Sequence, residues 1–260
     1  MSRAEAVAEA LAGPTETARL LAEVDAFVRR YVVLQGDAYY DAVDLWVLQA
    51  HAIGAFDTSP RLLFKSPEKE CGKSRALEVL EVITPNPLFV MNTTIAAIFR
   101  LLAMEQTTLL LDEADAIFSP KAAAQHEDLR AMLNAGYRRG ADVARVVGEG
   151  KKIAVKRFKV FAATGLAVIG NLPDTIESRS IIVPMRRRAP DEPVAQFRRR
   201  AVENDAHNLR DALSEWAAAH LDELTQAEPT MPEGVTDRAA DCCGSAWRAW
   251  SRAPISLANT

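Results

Sequence analysis

The spacing of hydrophobic residues changes near residue 58. Before it, LLAEVDAFVRRYVVL and AYYDAVDLWVLQAHAIGAF carry apolar residues three and four positions apart, the spacing of an amphipathic helix. The pair Gly36-Asp37 separates these two runs and is typical of a helix break. Residues 1–57 are therefore predicted to form an N-terminal helical segment.

From residue 58 onward, short continuous apolar runs alternate with amphipathic stretches such as TIAAIFRLLAME. This alternation predicts an α/β fold in which a five-stranded parallel sheet is sandwiched by helices, with a core over 58–188. The five strand candidates are RLLFKS (61–66), PLFVMN (87–92), TTLLLDE (107–113), GLAVIG (165–170) and SIIVPM (180–185). Beyond them, residues 189–241 again have a helical pattern and are predicted to form a small lid, and 242–260 are a tail.

Composition narrows the class of protein. The chain has 260 residues, 49% of them hydrophobic and 25% charged, as in ordinary soluble globular proteins. It has neither an apolar run of about 20 residues nor the compact apolar core of a secretory signal, so no membrane partner is expected. The cysteines are Cys71, Cys242 and Cys243, of which the adjacent pair is unsuited to a structural bridge and none has the spacing of a zinc site. This cysteine usage predicts a reducing, cytoplasmic location. Because the net charge is −4, any DNA contact must come from a local basic patch.

The segment after the first strand candidate fits the phosphate-binding pattern GxxxxGK[ST], except that proline replaces the first glycine. In such a loop, backbone N–H groups surround a phosphate and the following helix directs its N-terminus at it. Lys73 would reach the β- and γ-phosphates of ATP, and Ser74 would ligate Mg²⁺. The alternative is a helix start that Gly72 or Ser74 merely caps. The predicted nucleotide-binding residues are Pro67, Glu68, Lys69, Glu70, Cys71, Gly72, Lys73 and Ser74.

Two acids end the third strand candidate. Asp112 is placed where a P-loop fold has its magnesium-coordinating acid, and Glu113 follows it directly. Alone, the pair could be a helix N-cap followed by a first-turn acid. Together with the lysine-containing motif it predicts a P-loop ATPase in which Glu113 orients the attacking water, as in ATPases of the additional-strand class.

These motifs resemble the AAA+ superfamily. They look more closely like an uncharacterised ATPase domain family of actinobacterial phages, integrated elements and primase–helicase proteins. The similarity covers roughly residues 20–241 and implies a P-loop sheet with N-terminal helices and a small C-terminal helical lid. The runs that carry it are SPEKECGKSRALEVLEVI, TTLLLDEADAIF, LRAMLNAGYRRG, LAVIGNLPDTIESRSIIVPMRRR and MPEGVTDRAAD.

The resemblance also implies two catalytic residues. Asn171, after the fourth strand candidate, fits a polar residue that contacts the γ-phosphate, and Thr164 is a weaker candidate. The alternative for Asn171 is an ordinary turn residue. Arg179, before the fifth strand candidate, fits an arginine that acts in trans on a neighbouring subunit's site. Its alternative is a surface arginine paired with Asp174 or Glu177.

A second implied feature is a DNA-contacting hairpin. Residues 146–155 have β-type residues on both sides of a Gly/Lys-rich centre, which predicts a hairpin. In similar AAA+ helicases such a hairpin lines the central pore, so Lys151 and Lys152 at its tip are candidate DNA-binding residues. Otherwise the tip is a solvated turn. For LNAGYRRG the sequence favours helix-ending glycines, Gly136 and Gly140, and solvated Arg138 and Arg139. The alternative for these two arginines is a place at the same junction between subunits as Arg179.

These inferences predict an ATP-hydrolysing AAA+ motor of phage or mobile-element origin. It would be a homo-oligomeric ring that acts on DNA as a helicase or replication loader. One alternative is a switch or protein-remodelling ATPase in host control or defence. Another is a degenerate remnant that binds nucleotide without hydrolysis, because the ending CCGSAWRAWSRAPISLANT departs from the family's pattern.

Overall fold

The computed structural model describes residues 15–90, 95–118, 127–147 and 154–228. Within these ranges the chain is an α/β protein built on a five-stranded parallel sheet with helices on both faces. The strands are β1 (Arg61–Ser66), β2 (Pro87–Val90), β3 (Thr108–Leu111), β4 (Asp142–Val147), β5 (Ala154–Lys159), β6 (Ala163–Ile169) and β7 (Ser180–Pro184). The helices are α1 (Glu16–Tyr31), α2 (Asp37–His51), α3 (Lys73–Ile83), α4 (Ile95–Met104), α5 (Ala114–Phe118), α6 (Glu127–Ala135), α7 (Asp174–Glu177) and α8 (Arg199–Gln226).

The order of strands in the parallel sheet is β2-β3-β6-β1-β7. β6 is thus the central strand, between β1 and β3, and β1 is also internal because it pairs with β6 on one side and β7 on the other. All four pairings are parallel, so the carboxyl ends of β1, β3 and β6 share one edge of the sheet. The predicted five-stranded sheet sandwiched by helices is confirmed.

Each central strand is apolar because both of its faces are covered. Leu62 and Phe64 of β1 lie in a core shared with α1, α2, α3 and α8, whereas Leu63 lies in a second core with α4, α5 and α6. β6 alternates in the same way, with Ala167 on the first side and Leu166 on the second. This two-sided burial explains the continuous apolar runs in the sequence.

The long helix α8 joins the first core rather than standing apart from the sheet. Its 28 residues bury one face against the N-terminal helices, with Trp216 1% exposed. The indole N–H of Trp216 donates to the Thr17 hydroxyl at 3.0 Å, which joins α8 to α1. The predicted lid therefore contains, up to residue 228, a helix packed on α1 and α3. The rest of the lid, the tail 242–260 and residues 1–14 lie outside the described residues.

The predicted hairpin is confirmed. β4 and β5 form an antiparallel pair separate from the main sheet, with Val146 opposite Val155. Phe158 anchors the hairpin by packing against Phe99 of α4. The predicted DNA-contacting residues, Lys151 and Lys152, lie outside the described residues.

A buried carboxyl group lies between α1 and α2. Asp44 is 4% exposed, and its Oδ1 has no hydrogen-bond partner among the described residues. Burial, with the nearby charges of Asp25 and Asp41, raises the pKa of Asp44 from 3.8 to about 9. Asp44 is therefore neutral in the folded protein at pH 7, whereas it ionises in the unfolded chain.

Asp44→Asn is expected to raise the melting temperature at pH 8 and to flatten its pH dependence. The folded pKa exceeds the unfolded one, so this carboxyl contributes full stability below pH 3.8 and loses it as the pH rises toward 9. Each pH unit in that window costs up to about 1.4 kcal/mol. Thermal unfolding at pH 5 and pH 8 measures the effect, with exposed Asp211→Asn as the control. Parallel losses of stability in wild type and Asp44→Asn would contradict the assignment.

Candidate functional site

The 67–74 loop, as the segment is called here, comprises the connection from β1 to α3 (67–72) and the first two residues of α3, at the carboxyl edge of the sheet. Gly72 has φ +83°, a left-handed conformation that glycine adopts without steric cost, and α3 begins at the next residue. Glu70 is also left-handed, with φ 62°. The 67–74 loop is therefore a tight turn leading into a helix N-terminus, the local geometry that favours anions.

The side chain of Lys73 lies inside the 67–74 loop. It is 8% exposed, and its ammonium donates to the Ser66 hydroxyl at 2.5 Å and to the Glu68 carbonyl at 3.2 Å. The Ser66 hydroxyl in turn donates to the same carbonyl at 2.6 Å. The Cys71 thiol, 5% exposed, contacts the Glu68 carbonyl at 3.4 Å. The loop is thus organised around a buried cation.

The predicted phosphate, magnesium and hydrolytic residues meet in one cavity of about 350 Å³. It opens beside the carboxyl ends of β3 and β6, where the 67–74 loop meets the start of α5. Its lining residues are Lys69, Glu70, Lys73, Ser74, Asp112, Glu113, Asp115, Ala116, Ala167 and Ile169. The structure therefore brings Lys73, Ser74, Asp112 and Glu113 together, as the sequence predicted, while their chemical roles stay predictions.

The acidic turn after β3 is held in an unusual backbone conformation. The Asp112 carboxylate accepts the backbone N–H of Glu113 at 2.8 Å, and Glu113 has φ 52°. A left-handed conformation costs a residue with a side chain roughly 1–2 kcal/mol, and such strain is concentrated at functional sites. The side chain of Glu113 is exposed at the cavity.

Asp115 is a lining residue that the sequence reasoning did not single out. Its carboxylate accepts the backbone N–H of Ile169 at 3.1 Å and so fixes the start of α5 against the end of β6. The signal for it was its spacing, three residues after Asp112 on the first turn of a helix. Asp115 positions the acidic turn relative to the strand that precedes Asn171.

A second cavity, of about 380 Å³, lies on the other side of the 67–74 loop. It is bounded by the end of α1, the backbone of the loop and the segment that follows β7. Arg75 covers the Phe197 ring at 5.0 Å, and Phe197 packs edge-on against Tyr31 at 5.1 Å. The lining residues are Tyr31, Val32, Val33, Glu70, Cys71, Gly72, Arg75, Met185, Arg186, Arg188, Val194, Ala195, Gln196 and Phe197. Sequence reasoning missed this cavity because three distant segments build it.

The eight predicted loop residues thus divide between the two cavities. Lys69, Lys73 and Ser74 line the first, Cys71 and Gly72 line the second, Glu70 lines both, and Pro67 and Glu68 line neither.

Asn171 lies close to the 67–74 loop but does not line the first cavity. It follows Gly170, whose backbone N–H donates to the Ser66 carbonyl at 3.0 Å, and its side chain is exposed. Thr164, the weaker candidate, is near the amino end of β6 and its hydroxyl donates to the Ala162 carbonyl. Of the two, Asn171 is at the edge of the sheet where the cavity lies.

Arg179 lies at the other end of the strands, beside their amino ends. Ser180, the next residue, pairs with Arg61 at the amino ends of β7 and β1. The guanidinium of Arg179 donates to the Thr175 carbonyl at 2.8 Å and lies 4.5 Å from the centre of the Tyr137 ring. Glu177, one of its proposed partners, instead pairs with Lys65 at 2.9 Å.

Arg139 of the LNAGYRRG segment is exposed, as predicted, with 44% of its side chain accessible, but it also has a structural role. Its guanidinium donates to the carbonyls of Ile53, Gly54 and Phe56, and so fastens this turn to the chain before β1. At Gly136 a Cβ atom would lie 2.6 Å from the Val160 carbonyl oxygen, so the close backbone approach requires glycine. Arg138 is exposed, as predicted.

Among the described residues, no cluster of three or more His, Cys, Asp or Glu side chains could hold a metal ion. A magnesium ion at this site would need ligands beyond Ser74 and Asp112. Such incomplete protein coordination is usual for Mg²⁺ that binds together with substrate phosphates. The donors in the cavity, a hydroxyl and carboxylates, are the oxygen ligands that Mg²⁺ prefers.

Of the helices in the described ranges, none has the length and apolar character needed to cross a bilayer.

Comparisons with known proteins find similarity to uncharacterised sequences. A family model described as "Protein of unknown function (DUF3631)" matches residues 184–249, which begin at the end of β7 and include α8. "Uncharacterized 28.9 kDa protein in xis 5'region" from Saccharopolyspora erythraea is 46% identical over 57 residues, which is 22% of this chain. The aligned part spans 21% of that protein's length. Neither description names an activity.

Proposed function

We propose that this protein is a P-loop ATPase of the AAA+ type that acts on DNA. The observation that carries the proposal is the first cavity, in which a buried lysine, a hydroxyl at a helix N-terminus and two strand-end acids face one space. That combination suits a nucleoside triphosphate bound with Mg²⁺, because each of these groups has a distinct task in phosphoryl transfer.

The strand order supports the same class. β6 is inserted between β1, which leads into the 67–74 loop, and β3, which ends in the acids. This arrangement agrees with the additional-strand class that the Asp112-Glu113 pair indicates. The cavity also lies outside the carboxyl ends of the strands, where open α/β sheets bind ligands.

In the proposed mechanism, Lys73 exchanges its contacts with Ser66 and Glu68 for the β- and γ-phosphates of ATP. The Ser74 hydroxyl and the Asp112 carboxylate would hold Mg²⁺, which supplies charge neutralisation at the phosphates. Glu113 orients a water molecule and accepts its proton as the oxygen attacks the γ-phosphorus. The leaving group is ADP, and Asn171 is the candidate contact to the γ-phosphate.

The second cavity supports binding of the nucleoside. It adjoins Gly72 and is lined by apolar residues together with a few polar ones such as Gln196, a combination that suits a flat heteroaromatic base. We assign the base and ribose of ATP to it. Phosphates in the first cavity and the base in the second would place the nucleotide across the 67–74 loop.

DNA binding is proposed from the hairpin. Lys156, Arg157 and Lys159 of β5 are exposed, so the described part of the hairpin is basic although the whole chain has a charge of −4. Backbone phosphates are contacted by such local basic surfaces. Lys151 and Lys152, which lie outside the described residues, are the further candidates for DNA contact that the sequence indicates.

A protein partner is the second candidate. Val146 and Val155 form a cross-strand pair on the hairpin and are 69% and 71% exposed. Exposed valines in register favour a protein surface over a nucleic-acid backbone as their partner. A remodelling or switch ATPase would use this hairpin to contact a protein.

The test is the rate of phosphate release by the full chain with Mg²⁺, measured with and without single-stranded DNA. We expect hydrolysis that single-stranded DNA accelerates. Hydrolysis that DNA leaves unchanged favours the protein-remodelling alternative. ATP binding without phosphate release under either condition would indicate a nucleotide-binding remnant, and absence of ATP binding would refute the proposal.

A further inference from the structure

The 67–74 loop carries two acids whose charge opposes its proposed ligand. The side chains of Glu68 and Glu70 are 52% and 82% exposed, and Glu70 lines both cavities. Carboxylates beside a polyphosphate are like charges, and they lower its affinity unless a cation compensates them. Lys73 donates to the Ser66 hydroxyl and the Glu68 carbonyl rather than to either carboxylate, so it does not compensate these acids.

Arg187 is placed to do this. Its Nε lies 3.4 Å from a carboxylate oxygen of Glu68 and its Nη2 lies 3.8 Å from one of Glu70. The same Nε donates to the Lys69 carbonyl at 3.4 Å. A single guanidinium therefore contacts three consecutive residues of the loop, two of them through their charged side chains.

The neighbouring arginines have a different partner. Arg186 pairs with the carboxylate of Glu192, and Arg188 donates to the backbone carbonyl of the same residue. This fastening of the 186–192 turn directs the middle arginine toward the loop. Glu192 also accepts the Ala189 N–H at 2.7 Å, which closes the turn.

We propose that Arg187 is a positioning residue that neutralises Glu68 and Glu70 and thereby sets the affinity of the 67–74 loop for a polyphosphate. It acts within its own chain and through the two acids, and this role rests on the proposed nucleotide binding. Because its effect passes through the acids, removing them makes Arg187 dispensable. That dependence separates compensation from a direct contact with phosphate and from a purely structural role.

The experiment compares equilibrium binding of ATP with Mg²⁺, and of inorganic tripolyphosphate, by the full chain and its variants. The variants are Arg187→Gln, the pair Glu68→Gln with Glu70→Gln, and all three changes together. Arg200→Gln is the matched control, since it removes one positive charge from an exposed position on α8. Melting temperatures identify any variant that is not folded.

We expect Arg187→Gln to weaken binding of both probes about 2- to 5-fold, the range for exposed ion pairs. The triple variant should bind both probes as tightly as the Glu68→Gln/Glu70→Gln pair does, and Arg200→Gln should match wild type. An equal loss in Arg187→Gln and the triple variant, or no loss in Arg187→Gln, overturns the inference. If wild type binds tripolyphosphate but not ATP, the proposed function fails, while the tripolyphosphate data still test the dependence of Arg187 on the two acids. If wild type binds neither probe, both fail.

Discussion

Lys73→Ala is expected to abolish ATP binding, with a loss of at least about 2 kcal/mol. Lys73 supplies the buried cation of the 67–74 loop, and alanine leaves no charge to meet the β- and γ-phosphates. Titration of a fluorescent ATP analogue with Mg²⁺ measures the effect. The melting temperature of the same variant shows whether the fold is retained.

Lys159→Ala is the matched control for this change. It removes the same charge from an exposed position on β5, away from the 67–74 loop. Its ATP affinity should equal that of wild type. Unchanged affinity in Lys73→Ala would refute the assignment of the loop as a phosphate site.

Arg179→Ala should retain ATP affinity while hydrolysis falls by about 10³–10⁵, the range for loss of an arginine finger. Arg179 precedes the amino end of β7, whereas the 67–74 loop follows the carboxyl end of β1. At about 3.3 Å per residue, the length of β1 separates them by roughly 16 Å or more. Within one chain Arg179 is therefore too distant to touch the phosphates, so the proposed catalytic role requires a second copy of the protein.

Mixing two inactive variants tests that sharing. Arg179→Ala keeps its own Glu113, and Glu113→Gln keeps its own Arg179, so a mixed oligomer contains a complete site between subunits. Recovered phosphate release on mixing supports the ring model, and a merely structural arginine would give no recovery. If the mixture stays inactive and wild type remains monomeric with ATP and Mg²⁺, Arg179 is a surface residue that stacks on Tyr137.

Much of the sheet could be predicted because its central strands are buried on both faces. RLLFKS coincides with β1, and the predicted hairpin strands are present as β4 and β5. The sequence also predicted that Lys73, Ser74, Asp112 and Glu113 lie together, because parallel strands bring their carboxyl ends to one edge of the sheet. For this part of the site, the hydrophobic pattern and the rule for parallel strands were sufficient.

Contacts between distant segments could not be predicted in this way. The hydrogen bonds of Arg139 could not be foreseen because the backbone carbonyls that it binds lie more than 80 residues earlier and are not visible in the side-chain pattern. Arg187 is the middle one of three consecutive arginines, and the contacts that Glu192 makes with its neighbours distinguish it from them only in the structure. α8 looked like a separate lid because its partner Thr17 is at the other end of the chain.

The internal position of β1 in the sheet has a consequence for synthesis of the protein. Both strands that pair with β1, namely β6 and β7, come later in the chain, and β6 begins roughly 100 residues after β1 ends. At about 5–20 residues per second, a ribosome takes on the order of 5–20 s to supply them. During that interval β1 has two open edges and an apolar sequence, the features that lead to aggregation. The nascent chain is therefore expected to depend on chaperones until β7 has emerged.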